Sequence, residues 1–175
     1  MRIFTAVFVA LMFQAAQCAA EPWQTVKPDG LGFSVEFPEK PNIEEEDVDI
    51  GEGKSAKMRT FQIRTSDTIY DVTIAQYPQG TMQSIGEQQV LDNARNGAVN
   101  NAPGPLLSET KMEFAGHAAR ELLVDMTMGL TSRSRVFVLE DRLFNVGAIT
   151  RKDNQQSANI EKFFSSFKLT DSPTP

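Results

Sequence analysis

Alternation of apolar and polar residues recurs along most of the chain and limits its fold more than any other feature. Phe33, Val35 and Phe37 alternate with polar neighbours and stop at Pro38, which predicts a half-buried strand ended by a residue that cannot donate to a sheet. Further strand-like segments follow at Lys57 to Arg64, Ile69 to Tyr77, Leu106 to Phe114, Ala118 to Met128, Arg133 to Leu139 and Leu143 to Ile149. The chain therefore requires a sheet with a buried face.

Short polar connections join these segments into hairpins. Thr65-Ser66-Asp67 separates the second and third segments, and Ala115-Gly116-His117 separates the fourth and fifth. In the fifth segment, Leu122, Val124, Met126 and Met128 are predicted to share one face. The run from Val136 to Leu139 is apolar on both faces, which predicts a strand in the interior of the sheet.

A helix is predicted in the middle of the chain. Ser84 and Glu87 have the spacing of a capping box, so we expect the helix to begin there. Its apolar face comprises Val90, Leu91, Ala94 and Ala98, and we expect Asn96-Gly97 and residues 100–104 to end it.

A second helix is predicted near the carboxyl end. Ile160, Phe163, Phe164 and Phe167 have helical spacing, and a stripe of phenylalanines is typical of a core-facing surface because burying each side chain contributes about 2 kcal/mol. The order of strands, helix, antiparallel strands and helix predicts an α+β class: an antiparallel meander flanked by helices.

The first 20 residues have the pattern of a signal peptide. Arg2 is followed by an apolar run from Ile3 to Phe13 and by small residues up to Ala20, which predicts cleavage before Glu21. Ala15-Ala16-Gln17 does not match the sequence that precedes a lipidated cysteine, so we do not expect a lipid anchor at Cys18. Residues 21–170 then form one domain of the bacterial periplasm with no membrane segment, and residues 171–175 form a disordered tail.

Composition excludes several classes of function. Cys18 is the only cysteine, and its removal leaves no thiolate nucleophile, disulfide or cysteine metal site. The net charge is −6, and removal of Arg2, the only charged side chain among residues 1–20, makes it −7. This charge opposes binding to nucleic acid or an anionic membrane surface. The sequence also lacks a phosphate-binding loop with its lysine.

The acidic segment Asn42 to Gly53 is predicted to be a solvated loop, because it has few large apolar side chains. Asp47, Asp49 and Glu52 are the weak candidates for a divalent cation site. Only Asp47 and Asp49 keep the alternation of a calcium loop, so the sequence predicts no metal site there.

Candidate contact residues are few. His117 is the only histidine; no nucleophile or zinc motif accompanies it, and we expect an exposed turn residue rather than a general base. Arg133 and Arg135 share a face of the predicted strand, and Arg142 follows the next turn. These three arginines could contact an anion or a partner. Arginines in a sheet more often balance acids such as Glu121 or Asp125. Trp23 is expected to pack on the core, the alternative being an interaction anchor.

Three segments are similar to the PsbP-like superfamily, which includes the extrinsic photosystem II protein, a Ran-binding protein and exported bacterial proteins of unassigned role. They are Gly32-Phe33-Ser34-Val35-Glu36-Phe37-Pro38 with Pro41, Gly116-His117-Ala118-Ala119-Arg120-Glu121, and Phe163-Phe164-Ser165-Ser166-Phe167-Lys168-Leu169. The resemblance implies an antiparallel sheet between helices, an α/β/α sandwich. It transfers no catalytic or cofactor-binding residue.

Characterised members of that superfamily are mainly interaction proteins. The resemblance therefore implies a non-catalytic accessory protein that binds a protein partner and needs no cofactor. The alternatives are a small-ligand or divalent-cation-binding protein and, as a third choice, an enzyme that uses a carboxylate pair brought together by the fold. The sequence identifies neither the partner nor the oligomeric state.

Overall fold

The computed structural model describes residues 23–170 of the 175-residue chain. The predicted signal peptide, Cys18 and the predicted tail lie outside these residues. In chain order the elements are β1 Gln24–Val26, β2 Phe33–Phe37, β3 Asn42–Gly51, β4 Lys54–Arg64, β5 Thr68–Gln76, α1 Thr81–Ile85, α2 Glu87–Asn100, β6 Leu106–Phe114, β7 His117–Asp125, β8 Leu130–Leu139, β9 Arg142–Arg151, α3 Ala158–Ser166 and β10 Lys168–Leu169.

Seven of the strands form one antiparallel sheet with the order β3-β4-β5-β9-β8-β7-β6. β1, β2 and β10 form a small separate sheet. The predicted strands and both predicted hairpins are confirmed. β8 lies between β9 and β7, and Val136, Phe137 and Val138 are all buried, as expected for a strand covered on both faces.

An aromatic cluster covers one face of the large sheet. β2 and α3 pack there, and Phe163 and Phe167 are 0% and 3% exposed. The Phe167 ring stacks on Phe33 at 5.4 Å between centroids and meets Phe137 edge-on at 5.8 Å. All four residues of the predicted apolar stripe, Ile160 and the three phenylalanines, are buried, although Phe167 is the first residue after α3.

The opposite face of the sheet carries a second, smaller cluster. Val90 and Leu91 of α2 pack on Leu122, Val124 and neighbouring valines. At the border of this cluster Arg120 is 3% exposed, and its guanidinium binds the carboxylates of Asp92 on α2 and Glu109 on β6. The antiparallel sheet and its three helices confirm the α+β class.

The acidic segment is a strand, so its prediction as a loop was wrong. β3 is exposed along almost its whole length and pairs on one side with β4. Backbone pairing supplies its hydrogen bonds without buried side chains, and an ion pair of 2.7 Å joins Glu45 to Arg59 of β4. The turn that follows uses positive φ at Gly51, Glu52 and Gly53.

The start of the middle helix also differs from the prediction. Ser84 lies inside α1 and donates to the carbonyl of Thr81, so it does not cap α2. Gly86, with φ of 89°, ends α1 and precedes Glu87, the first residue of α2. The Asp141 carboxylate, in the turn between β8 and β9, accepts hydrogen bonds from the backbone amides of Gly80 and Met82.

Two smaller expectations need correction. α2 ends at Asn100, at the start of the predicted 100–104 region, but Asn96-Gly97 does not interrupt it, because its packing on β7 and β8 outweighs the low helix propensity of two residues. Met128 does not share the buried face of Leu122 and Val124, since β7 ends at Asp125 and Met128 is 95% exposed in the following turn.

Candidate binding cleft

Arg133 and Arg135 converge on one carboxylate. Glu121 of β7 lies directly opposite Arg135 of β8, with Arg133 two residues away on the same face. The Arg133 guanidinium donates to Glu121 Oε1 at 3.1 Å, and that of Arg135 donates to Oε2 at 2.9 Å. Arg133 also donates to Glu161 of α3 at 2.5 Å. The two arginines therefore balance acidic side chains, the more common of the two arrangements considered from the sequence.

Aromatic rings hold the same two arginines in place. The guanidinium carbons of Arg133 and Arg135 lie 4.6 and 5.5 Å from the centre of the Phe164 ring, and that of Arg135 lies 5.3 Å from Phe114. The Arg133 and Arg135 side chains are 18% and 15% exposed. Cation–π contact with these rings fixes the orientation of both guanidinium groups. Their ion pairs with Glu121 and Glu161 compensate their charge.

Arg142 does not join this pair. It lies opposite Leu139 on β8, whereas Arg135 lies opposite Val146. Its guanidinium donates to the carbonyl of Leu31 at 3.0 Å and to Glu140 at 3.1 Å. Arg142 therefore connects the segment before β2 with the large sheet. Asp125, the other acid considered from the sequence, pairs instead with Lys152 at 2.9 Å.

A cavity of about 460 Å³ opens beside the Glu121 cluster. We call it the polar cleft; its lining includes Ser108 and Thr110 of β6, Glu121 of β7, Arg133 of β8, Gln155 and Gln156 before α3, and Glu161 of α3. The alternation of β6 places Ser108 and Thr110 on the same side as α3. The side-chain oxygen of Gln155 is buried and has no hydrogen-bond partner within residues 23–170.

Comparison with known proteins identifies the fold. No protein-family model matches the chain, and no curated protein matches it. The solution structure of cyanobacterial PsbP (CyanoP) from Synechocystis sp. PCC 6803 superposes with a TM-score of 0.52 and 15% identity, over 84% of this chain and 92% of that one. The chain has a PsbP-like fold.

A second solved structure, protein PA94 of Pseudomonas aeruginosa, described as of unknown function, matches with 12% identity and a TM-score of 0.47. It covers 87% of this chain and 99% of that chain. At these identities the likeness concerns architecture, and the PsbP-like fold by itself assigns no activity.

The structure does not bring the weak metal candidates together. Asp47, Asp49 and Glu52 lie along the exposed β3 edge and the turn after it; Asp49 accepts a hydrogen bond from the Gly51 amide, and Glu52 pairs with Lys54. Among residues 23–170, no three His, Cys, Asp or Glu side chains are grouped to hold a metal ion.

The other two candidates from the sequence occupy structural positions. His117 is not in the turn but is the first residue of β7, opposite Phe114. The Trp23 ring meets Tyr70 edge-on at 5.8 Å, with the Lys162 ammonium 4.5 Å from its centre, so the indole packs on the core of the PsbP-like fold. Within the described part of the chain, no helix is long and apolar enough to cross a membrane.

Asp71 was not among the residues predicted from the sequence, and its environment is unusual. It lies on β5 opposite Gly147, on the sheet face that carries α2, and accepts a hydrogen bond from the Asn145 amide at 3.2 Å. Burial raises its pKa from 3.8 to about 6, against the opposing effect of the Asn145 hydrogen bond. An acidic residue between Tyr70 and Val72, in the middle of a predicted strand, is a signal that the sequence does contain. Its partners cannot be read from the sequence, because they depend on the pairing of β5 with β9.

Proposed function

We propose that the chain is a non-catalytic accessory protein of the bacterial periplasm that binds a segment of a protein partner in the polar cleft. The buried side-chain oxygen of Gln155, which has no donor within residues 23–170, carries the proposal. A buried acceptor without a donor costs about 1 to 3 kcal/mol. Gln155 is half-buried, so its side chain has to turn towards the cleft before a partner N–H group can reach this oxygen, and the resulting hydrogen bond then recovers this free energy.

The charge of the cleft favours a peptide over a small ion. Glu121 and Glu161 are compensated by Arg133 and Arg135, so no uncompensated charge in this cluster attracts a metal or an anion. Ser108 and Thr110 on the other wall supply both donors and acceptors. Such a lining fits the backbone and neutral polar side chains of another protein.

The remaining features of the proposal concern export and architecture. Residues 1–20 direct export and are removed before Glu21, and residues 21–170 form one domain. The helices α2 and α3 on opposite faces of the large sheet support the α/β/α sandwich that the PsbP-like resemblance implies.

The proposal is tested by closing the cleft. Gln156 is exposed and lines the cleft, so Gln156→Trp adds a large ring there without disturbing the core. Gln79→Trp is the matched control, since Gln79 is exposed in the loop before α1. Proteins captured from a periplasmic extract by the wild type and Gln79→Trp, and lost with Gln156→Trp, support the proposal. Equal recovery by all three, or recovery of no protein, contradicts it.

A further inference from the structure

β6 is one of the two edges of the seven-stranded sheet, and within residues 23–170 no strand pairs with its outer side. The hairpin after it shows which backbone groups face outward. Ala115 and Gly116, both with positive φ, form a two-residue turn, so Phe114 and His117 exchange hydrogen bonds. Along β6, residues whose backbone groups bond to β7 alternate with residues whose backbone groups point outward. The N–H and C=O groups of Glu109, Lys111 and Glu113 therefore point away from the sheet.

The two edges of the sheet differ in charge. β3 carries five acidic and no basic side chains, so a second copy of β3 is repelled, as in natural edges protected against pairing. β6 carries Glu109, Lys111 and Glu113, which alternate in sign. Of the ion pairs within residues 23–170, none uses Lys111, so its ammonium is available to a partner strand, whereas Glu109 already binds Arg95 and Arg120 and would bind a partner's lysine in addition to them.

The sequence of β6 is self-complementary about Thr110. If two copies of β6 pair antiparallel with Thr110 opposite Thr110, Lys111 of each copy lies opposite Glu109 of the other, and Ser108 lies opposite Met112. The outward backbone groups of Glu109 and Lys111 then bond each other, and opposite charges across strands stabilise the pair. Cross-strand threonine pairs already occur in this sheet, between Thr60 and Thr73 and between Thr68 and Thr150.

We propose that a second copy of this chain pairs with β6 in this register and extends the large sheet across a two-fold axis at Thr110. Both polar clefts then lie on the same side of the joined sheet and meet at the axis, because Ser108 and Thr110 line each of them. The bulge between Leu106 and Ser108 limits the regular pairing to the segment after it. The inference does not depend on any partner bound in the clefts.

Disulfide cross-linking tests the register directly. In the full chain with Cys18→Ser, Thr110→Cys introduces the only thiol, and the two α-carbons at the axis are about 4.5 Å apart, within disulfide range. Ser108→Cys is the matched control on the same strand and face, where the two α-carbons are about 13 Å apart. We expect a disulfide dimer from Thr110→Cys under mild oxidation and none from Ser108→Cys. Cross-linking of both to the same extent overturns the register.

Sedimentation equilibrium of the uncrosslinked protein tests the contact itself. We expect twice the monomer mass at high concentration, and we expect Lys111→Glu, which places like charges opposite each other twice, to weaken dimerisation by about tenfold. Lys40→Glu is the control, an equal charge change at an exposed site before β3. A wild type that stays monomeric, or equal weakening by both variants, overturns the proposal. If the dimer is absent but capture through the cleft persists, only this inference fails.

Discussion

The carboxylate of Asp71 occupies the space above Gly147 on the neighbouring strand. A β-carbon added at Gly147 would lie 2.6 Å from Asp71 Oδ1 and 3.1 Å from Cγ, closer than non-bonded atoms approach. Gly147 is buried in β9 and pairs with Asp71 on one side and Ser134 on the other. The glycine therefore allows an acidic side chain to lie flat on the sheet and reach Asn145.

Gly147→Ala is expected to destabilise the protein by about 1 to 3 kcal/mol, the usual cost of overpacking. The cost should fall by about 1 kcal/mol or more in an Asp71→Ala background, because the clashing carboxylate is absent there. Urea unfolding of the four proteins of this double-mutant cycle measures both values. Equal costs of Gly147→Ala in the two backgrounds would show that the clash lies elsewhere.

The raised pKa of Asp71 makes stability depend on pH. Because the pKa of about 6 in the folded state exceeds the ordinary value of 3.8, the unfolded chain loses this proton first as pH rises. The contribution of Asp71 to the free energy of unfolding is therefore most favourable below about pH 4 and is lost as pH rises through about 6.

Asp71→Asn should remove this dependence. We expect the variant to gain about 1 to 2 kcal/mol over the wild type at pH 7.5, a value reduced for the partial exposure of the side chain, and the gain should shrink towards pH 4. Urea titrations across this range measure it, with the exposed Asp153→Asn as control. A difference that does not vary with pH would contradict the assignment.

The phenylalanine stripe is expected to dominate the stability of the α3 face. The Phe163 ring contacts Tyr70 at 5.1 Å and Phe37 at 5.3 Å between centroids, and Phe163→Ala should cost about 3 to 5 kcal/mol. Met128→Ala, at a residue that is 95% exposed, should change the free energy of unfolding by less than about 0.5 kcal/mol. A cost below about 1 kcal/mol for Phe163→Ala would mean that α3 is not part of the core.

Periodic burial explains which parts of this fold could be predicted from the sequence. The strands with one buried face and the stripe of α3 show a regular spacing of apolar residues in the sequence, because their own side chains enter the core. β3 leaves none, since its stability comes from pairing with β4 and not from its side chains. Asp141 supports the start of α1 from a distant turn, which a local capping rule cannot detect.

The candidate site was predictable only in part, for a related reason. Alternation places Arg133 and Arg135 on one face, and Glu121 was a plausible partner before its position was known. The polar cleft forms between β6 and the segment before α3, which are far apart in sequence. The contact of Asp71 with Gly147 depends on the exact register of β5 and β9, which hydrophobic periodicity does not specify.

Glu121 is expected to stabilise the protein more than an exposed acid with a similar partner. Glu121→Gln leaves Arg133 and Arg135 without their shared carboxylate at sites only 18% and 15% exposed, and it should cost about 1 to 3 kcal/mol. Glu45→Gln is the control, because its ion pair with Arg59 lies at the exposed β3 edge and should contribute about 0.5 kcal/mol or less. Equal effects in thermal unfolding would show that the cluster is no stronger than a surface pair.

Site-specific photo-crosslinking in living cells tests most directly whether the polar cleft holds a protein partner. A photoreactive residue at Gln156 lies at the wall of the cleft, and the same residue at Gln79 provides an exposed control before α1. We predict an adduct from position 156, and not from position 79, that mass spectrometry shows to contain a protein other than this chain. No such adduct from position 156, or the same adduct from both positions, would contradict the claim.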